Sequence, residues 1–240
     1  MSIGIIGAME SEVRALQAAM SDTKYTEYAG MRFCEGLLHS VNVVCVQCGI
    51  GKVNAALCVQ ILKDRFNAEC IINTGVAGAL SDELDIGDIV ISTEAVQHDF
   101  DLSPIGYQKA EIPPFHTVAF PADPGLQQLA AQTAQAVLQN HRVFCGRICS
   151  GDQFIAGEAA KRRIVSEFGG LCAEMEGAAI AQACTANALP FVIVRAISDR
   201  ADASGGVSFA EFEALAAKTC ASIVMRMIER YFAHKTPCSE

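Results

Sequence analysis

The runs IGIIG (residues 3–7), ECIINTG (69–75) and LPFVIVRAISD (189–199) constrain the fold of this chain more than any other feature. Each is of strand length and apolar at most consecutive positions. A strand with one wet face alternates apolar and polar residues, so near-continuous apolar runs mean strands buried on both faces. Between them lie stretches of helical period. KVNAALCVQILKDRF predicts a helix whose recurring positions are Val53, Ala56, Leu57, Gln60 and Ile61. PADPGLQQLAAQTAQAVLQN predicts another, opened by Asp123 and Pro124. A long last helix follows SFAEF, with Ser208 and Glu211 in capping-box spacing. Doubly buried strands alternating with helices specify an α/β class, a three-layer α/β/α sandwich. No low-complexity linker or shift in composition divides the chain, so residues 1–240 read as a single domain.

Charge and composition exclude several functions. The net charge is −9, which argues against a nucleic-acid partner. Lys161, Arg162 and Arg163 read as a solvated helix face. The longest apolar runs fall short of the ~20 residues of a membrane helix, and the chain enters IGIIGAM without a leader pattern, so a cytoplasmic protein without membrane contact is expected. Its 11 cysteines sit mostly inside apolar runs, as small hydrophobes do in a reducing compartment. Cys45 and Cys48 form a C-x-x-C, but in a strand-like run residues three apart face opposite sides. No metal and no organic cofactor is expected. The glycine turns GAMESE, CGIGK and NTGVAGAL follow strands, yet none matches a phosphate loop; GIGKVN has Asn54 where a dinucleotide fingerprint needs glycine.

Acids at strand and helix junctions are more informative. Glu10 and Glu12 follow the first strand, Glu174 and Glu176 sit in LCAEMEGAAIAQAC, and Asp199 ends FVIVRAISD. All five fit as helix caps or first-turn dipole partners. They also fit glycosidic cleavage, which needs an acid on the leaving group, a base for water and negative charge near a cationic sugar. LCAEMEGAAIAQAC reads as one helix from Leu171. On a regular helix its two acids point roughly 200° apart, so one is expected at a substrate and the other as a cap. His98 reads as a hydrogen-bonded structural histidine. Residues 100–123 lack clear periodicity and carry aromatics and prolines, which suits a pocket wall or an interface.

Eight motifs occur in order between residues 3 and 212: IGIIGAMESEV, CGIGKVNAA, INTGVAGAL, GDIVIS, SGDQFIAG, AEMEGAAIA, VRAISDRAD and SFAEF. Together they closely resemble the 5′-methylthioadenosine/S-adenosylhomocysteine nucleosidase family of the nucleoside phosphorylase superfamily. The resemblance implies a central mixed, partly barrel-like sheet. It also implies hydrolysis of 5′-methylthioadenosine, S-adenosylhomocysteine and 5′-deoxyadenosine to adenine and the 5-substituted ribose, without cofactor.

Residue roles come with it. Glu12 matches the base that activates water. Asp199 matches the acid for purine N7, oriented by Ser198. Glu176 matches the carboxylate on the ribose hydroxyls, with Met175 beneath the sugar. Phe154 matches the aromatic on adenine, and Ile155 the backbone that pairs with its edge. Ile50 and Phe209 match the 5′-alkylthio lining, and Arg195 lies near the site. Leu102, Ile105, Tyr107 and Pro113 match positions that a neighbouring subunit contributes in a homodimer. Val76 departs from the family, standing where many members carry serine. The alternatives are a phosphorylase of the same fold, a 6-amino-6-deoxyfutalosine hydrolase and a non-catalytic nucleoside sensor.

Overall fold

The computed structural model describes residues 2–202 and 205–235; the side chains at 205, 207, 208 and 232–235 lie outside that description. Ten strands form one mixed sheet. They are β1 (Ser2–Gly7), β2 (Ser21–Tyr28), β3 (Met31–Leu38), β4 (Val41–Gln47), β5 (Ala68–Ala79), β6 (Ile89–Gln97), β7 (Ala119–Pro121), β8 (Val143–Ser150), β9 (Cys172–Glu174) and β10 (Phe191–Asp199). The helices are α1 (Glu10–Ala19), α2 (Lys52–Phe66), α3 (Pro124–Val137), α4 (Glu158–Phe168), α5 (Gly177–Ala186) and α6 (Gly205–Lys235).

The strands run β2-β3-β4-β1-β5 along an open arm. From β5 they close on themselves through β9, β8, β6 and β10, which pairs back to β5. That closure makes half of the sheet barrel-like. It is possible because β5 is long: its middle pairs with β10 and its last residues, Gly78 and Ala79, pair with β9.

Both faces of β1 are covered, as its apolar run requires, whereas β2 at the edge of the arm has no buried residue. Ile3 and Ile5 of β1 pack with Val13 and Leu16 of α1, and with apolar residues of α3 and α6. Ile6 joins the opposite cluster with Val59 and Leu62 of α2 and Ile180 of α5. Strand β10 divides the same way, Val192 and Val194 to one layer and Phe191 and Ile193 to the other. Burying each such side chain stabilises the fold by about 2 kcal/mol. Cys45 and Cys48 fall in different layers, as their spacing predicts. Asp123 caps α3, accepting the Leu126 N–H at 2.8 Å. Among the described residues no helix is long and apolar enough to cross a membrane.

Several expectations need correction. Helix α2 buries Ala55, Cys58, Val59 and Leu62, while Val53 and Leu57 are 71% and 47% exposed. The face predicted from Val53, Leu57 and Gln60 therefore points outward, because α2 carries apolar residues on two sides. LCAEMEGAAIAQAC is not one helix: Cys172–Glu174 is a strand, and α5 begins at Gly177. Lys161 is buried, with Nζ 3.1 Å from Asp82 Oδ1, so it is not part of a solvated face. Within 100–123 lie a 3₁₀ turn (Ser103–Ile105), an Ile112–Thr117 bridge and β7, an edge strand on β6. Helix α6 starts three residues before Ser208, whose expected capping side chain is outside the described residues.

Candidate active site

A cavity of about 90 Å³ opens at the carboxyl ends of the strands. Open α/β sheets gather their ligand-binding loops at this edge. Ala8, Met9 and Glu12 reach it from the β1–α1 turn, Val76–Gly78 from β5, Ser198 and Asp199 from β10, and Met175 and Glu176 from the turn after β9. Ile50, Phe154 and Phe209 complete the rim. Phe154 meets Phe209 edge-on, with ring centroids 5.7 Å apart. A side hollow shares Phe154, Met175 and Asp199 and reaches Gln153 and Ile155. Ten of the fourteen predicted site residues bear on this place: eight line the main cavity directly, and Ile155 the side hollow. The tenth, Arg195, stands just behind its wall, 3.8 Å from Glu176 Oε2.

Glu12 is 4% exposed. Its Oε2 accepts the backbone N–H groups of Ala8 (2.6 Å) and Met9 (3.0 Å), and its Oε1 accepts that of Val76 (3.1 Å). It thus caps α1 and also faces the cavity, so the capping and catalytic readings of this acid are compatible. Burial pushes its pKa up, opposed by Arg195 and the three N–H donors. The seat depends on Gly75, where a Cβ would stand 2.3 Å from Glu12 Oε1 and 2.7 Å from Arg195 Nη1. Glu10, its neighbour on α1, is exposed and does not line the cavity.

Arg195 is the largest fully buried side chain of the core. It pairs with Glu174, donates to Asn73 Oδ1 at 2.7 Å, and lies 3.8 Å from Glu176 Oε2. Burial works against its charge, but Glu174, Glu12 and Glu176 outweigh burial and hold it protonated. The two acids of AEMEG therefore converge on one guanidinium. They diverge only on the helix that this stretch does not form.

Glu174 also accepts from Ser150 Oγ and, through both oxygens, from the Gly177 N–H at the start of α5 (3.0 and 2.8 Å). An anion at that end suits the helix dipole. Glu176 instead takes the Gly51 N–H at 2.8 Å. Burial, then the charge of Glu174, raises the Glu176 pKa to about 8.

Asp199 sits where β10 bulges against β5: Ile197 pairs with Ala77 and Asp199 with Gly78, leaving Ser198 as the extra residue. A bulge re-aims side chains, and here both Ser198 and Asp199 face the cavity. Asp199 accepts from Ser198 Oγ (3.0 Å) and the Ala201 N–H (2.9 Å). Burial raises its pKa.

Other expected residues fall elsewhere. Leu102, Ile105, Tyr107 and Pro113 do not line the cavity of their own chain, and Ile105 is 71% exposed. His98 is buried, but neither ring nitrogen has a hydrogen-bond partner, contrary to its reading as a bonded structural histidine. Burial holds its pKa below the usual value. Glu174 caps α5 as expected, but sequence reasoning missed its pairing with Arg195 and the roles of Ser150 and Asn73. One signal was present: an arginine inside VIVRAIS must be buried, and a buried cation needs an acid.

The chain matches the family model for the phosphorylase superfamily over residues 2–229. It is 43% identical to a 5′-methylthioadenosine/S-adenosylhomocysteine nucleosidase of Glaesserella parasuis serovar 5, covering 96% of this chain and 100% of that one. Among solved structures, it is similar to the nucleosidase of the same name from Neisseria meningitidis in complex with methylthio-immucillin-A. There the TM-score is 0.92 and the identity 37%, over 95% of this chain and 99% of that one. It is also similar to one from Colwellia psychrerythraea 34H in complex with adenine, with TM-score 0.91 and 41% identity, over 95% and 94% of the two chains.

Proposed function

The chain belongs to the 5′-methylthioadenosine/S-adenosylhomocysteine nucleosidase family of the phosphorylase superfamily, and on that premise we propose that it hydrolyses the N-glycosidic bond of these two nucleosides, releasing adenine and the 5-substituted ribose. One observation carries the choice of water as acceptor. Among the described residues, the cavity is lined by Glu12, Glu174, Glu176 and Asp199 and by no lysine or arginine. Phosphate needs several donors and positive charge, and the one nearby guanidinium, that of Arg195, is buried behind the wall among Glu12, Glu174 and Glu176, with its Nη2 held by Glu174 and Asn73. A phosphorylase reading is therefore disfavoured.

Asp199, whose pKa is raised by burial with no cation among the described residues opposing it, is the proton donor to purine N7. Protonation there lets adenine leave as the N9–C1′ bond breaks. Glu12, backed by Arg195, takes the proton of the water whose oxygen bonds to C1′. Glu176 and Met175 hold the ribose between these two events. Phe154 covers adenine, and Ile155 pairs its edge through the backbone. Ile50 and Phe209 receive the 5′ substituent. General acid and base steps of this kind each contribute about 10²–10⁴ in rate. Val76 costs this scheme little, because its backbone N–H is the group that Glu12 uses.

The reading includes a homodimer in which Leu102, Ile105, Tyr107 and Pro113 of one protomer close the 5′ side of the other's cavity. The exposed apolar residues Ile50, Val53, Leu57 and Ile105 support it. It also includes a cytoplasmic setting, supported by the nine buried free cysteines among the described residues.

The test is adenine release from 5′-methylthioadenosine, S-adenosylhomocysteine, 5′-deoxyadenosine and 6-amino-6-deoxyfutalosine in phosphate-free buffer, with product identification. The expected product is the free sugar at a rate that added phosphate leaves unchanged. A sugar 1-phosphate, or no turnover until phosphate is added, overturns the hydrolase reading. Preferential turnover of the futalosine derivative reassigns the substrate.

A further inference from the structure

Three loops at the cavity edge are tied together by hydrogen bonds that the chemistry above does not use. Lys52, the first residue of α2, donates from Nζ to Asp99 Oδ1 at 2.6 Å and to Gln97 Oε1 at 3.1 Å. Asp99 Oδ2 accepts the backbone N–H of Asp152 at 2.8 Å. Asp152 Oδ1 accepts the backbone N–H of Lys52 at 2.8 Å. The three residues therefore close a ring, each holding the next, across the ends of β4, β6 and β8.

Gly51 sits against this ring. Its φ is +103°, and a Cβ on it would stand 3.1 Å from Asp152 Oδ1. Its N–H is the donor to Glu176 Oε1. The direction of that N–H follows from a peptide whose next residue is pinned at its backbone N–H by Asp152 and at its side chain by Asp99. The Lys52 and Asp99 side chains are only 17% and 14% exposed, so the ion pair is shielded from solvent. Burial works against the Asp99 charge, yet Lys52 and the Asp152 N–H hold its carboxyl below the ordinary range. Neither Glu12 nor Asp199 takes a hydrogen bond from any member of the ring; their donors come from the β1–α1 turn, β5 and the end of β10.

We propose that Lys52, Asp99 and Asp152 form a positioning clasp that aims the Gly51 N–H at Glu176 and so sets the carboxylate that receives the ribose hydroxyls. The inference rests on the nucleosidase reading and deepens it. The clasp acts on the sugar and not on the base, which separates it from a general role in holding the loops.

The experiment is steady-state kinetics of Lys52→Met and Asp99→Asn, with adenine as product inhibitor. KM for 5′-methylthioadenosine should rise about tenfold, the size expected for a lost charge-assisted hydrogen bond. The inhibition constant of adenine should stay within about twofold and kcat within about threefold, and Lys52→Arg should recover most of the KM. An unchanged KM overturns the clasp. So does an equal rise in KM and in the adenine constant, which is what nonspecific loosening produces. If Lys52→Met fails to fold, Asp152→Ala removes the opposite half of the ring at an exposed position, with the same two readouts. An unmutated protein that releases no adenine refutes the nucleosidase reading itself, whereas an active one with unaltered variants refutes the clasp alone.

Discussion

Glu12 and Asp199 are both buried carboxylates at strand ends on one cavity, but the protein surrounds them differently. Glu12 has three backbone N–H donors, with the Arg195 guanidinium behind it. Asp199 has one N–H, one hydroxyl and no cation, and Asp202 adds negative charge nearby. Burial raises both pKa values, but only at Glu12 do a cation and several donors oppose it. On the proposed mechanism, this contrast is what separates a base from an acid built on the same functional group. Positive charge behind a carboxylate favours its ionised form, and burial without such charge favours the protonated one.

The sharpest way to break this contrast is to remove the proton at one wall. Asp199→Asn should lower adenine release from 5′-methylthioadenosine about 10³-fold, and Glu12→Gln by a similar amount. Near-normal turnover by either variant would falsify the assigned role. Removing the cation makes the two walls alike. Arg195→Met leaves Glu174 buried without its partner, a loss of about 3 kcal/mol of stability, and should cut kcat/KM about 10²-fold. The acid limb of its pH profile should also move to higher pH, because Glu12 loses its opposing charge; an unmoved limb would mean that Arg195 does not tune the base.

A smaller effect is expected from steric displacement of the base alone. In Gly75→Ala the new Cβ would lie 2.3 Å from Glu12 Oε1. Turnover should fall about tenfold with less change in KM, and parental kcat would mean that Glu12 has room to move without consequence.

The smallest expected effect is on stability. Glu176 has a folded-state pKa of about 8, above its ordinary 4.5. A raised carboxyl pKa means that the folded state holds the proton more tightly than the unfolded one. Its contribution is therefore complete below about pH 4.5 and is lost as the pH rises through about 8. Urea unfolding should show stability falling by at least ~1 kcal/mol between these limits, and Glu176→Gln should flatten the slope. A slope that survives the substitution would assign it to another group.

Much of the architecture was legible along the chain. Ile3, Ile5 and Ile6 announce a strand covered on both faces, and the core places them in two different layers. The Asp123 cap is local, so local sequence records it. Helix α2 was misread because periodicity reports an apolar stripe without saying what covers it. Val53 and Leu57 form such a stripe on the surface, while the buried side is lined by the smaller Ala55 and Cys58 together with Val59 and Leu62. AEMEG was misread because a three-residue strand followed by a turn is too short to show a period of its own.

By itself, then, the sequence determined the alternation of doubly buried strands with helices, the placing of acids at strand ends, and the motifs that mark the family. These follow from near neighbours and from order along the chain. Only the tertiary structure decided which acid stands beside the cation. Arg195 reaches Glu174 across 21 residues and Asn73 across 122, contacts created by the closing of β5, β9 and β10 into a barrel. The bulge at Ser198 then turns Asp199 into the cavity, away from any such partner. Periodicity encodes whether a residue is buried. It does not encode what that residue meets, and in a low-dielectric interior the partner sets the chemistry of a carboxylate.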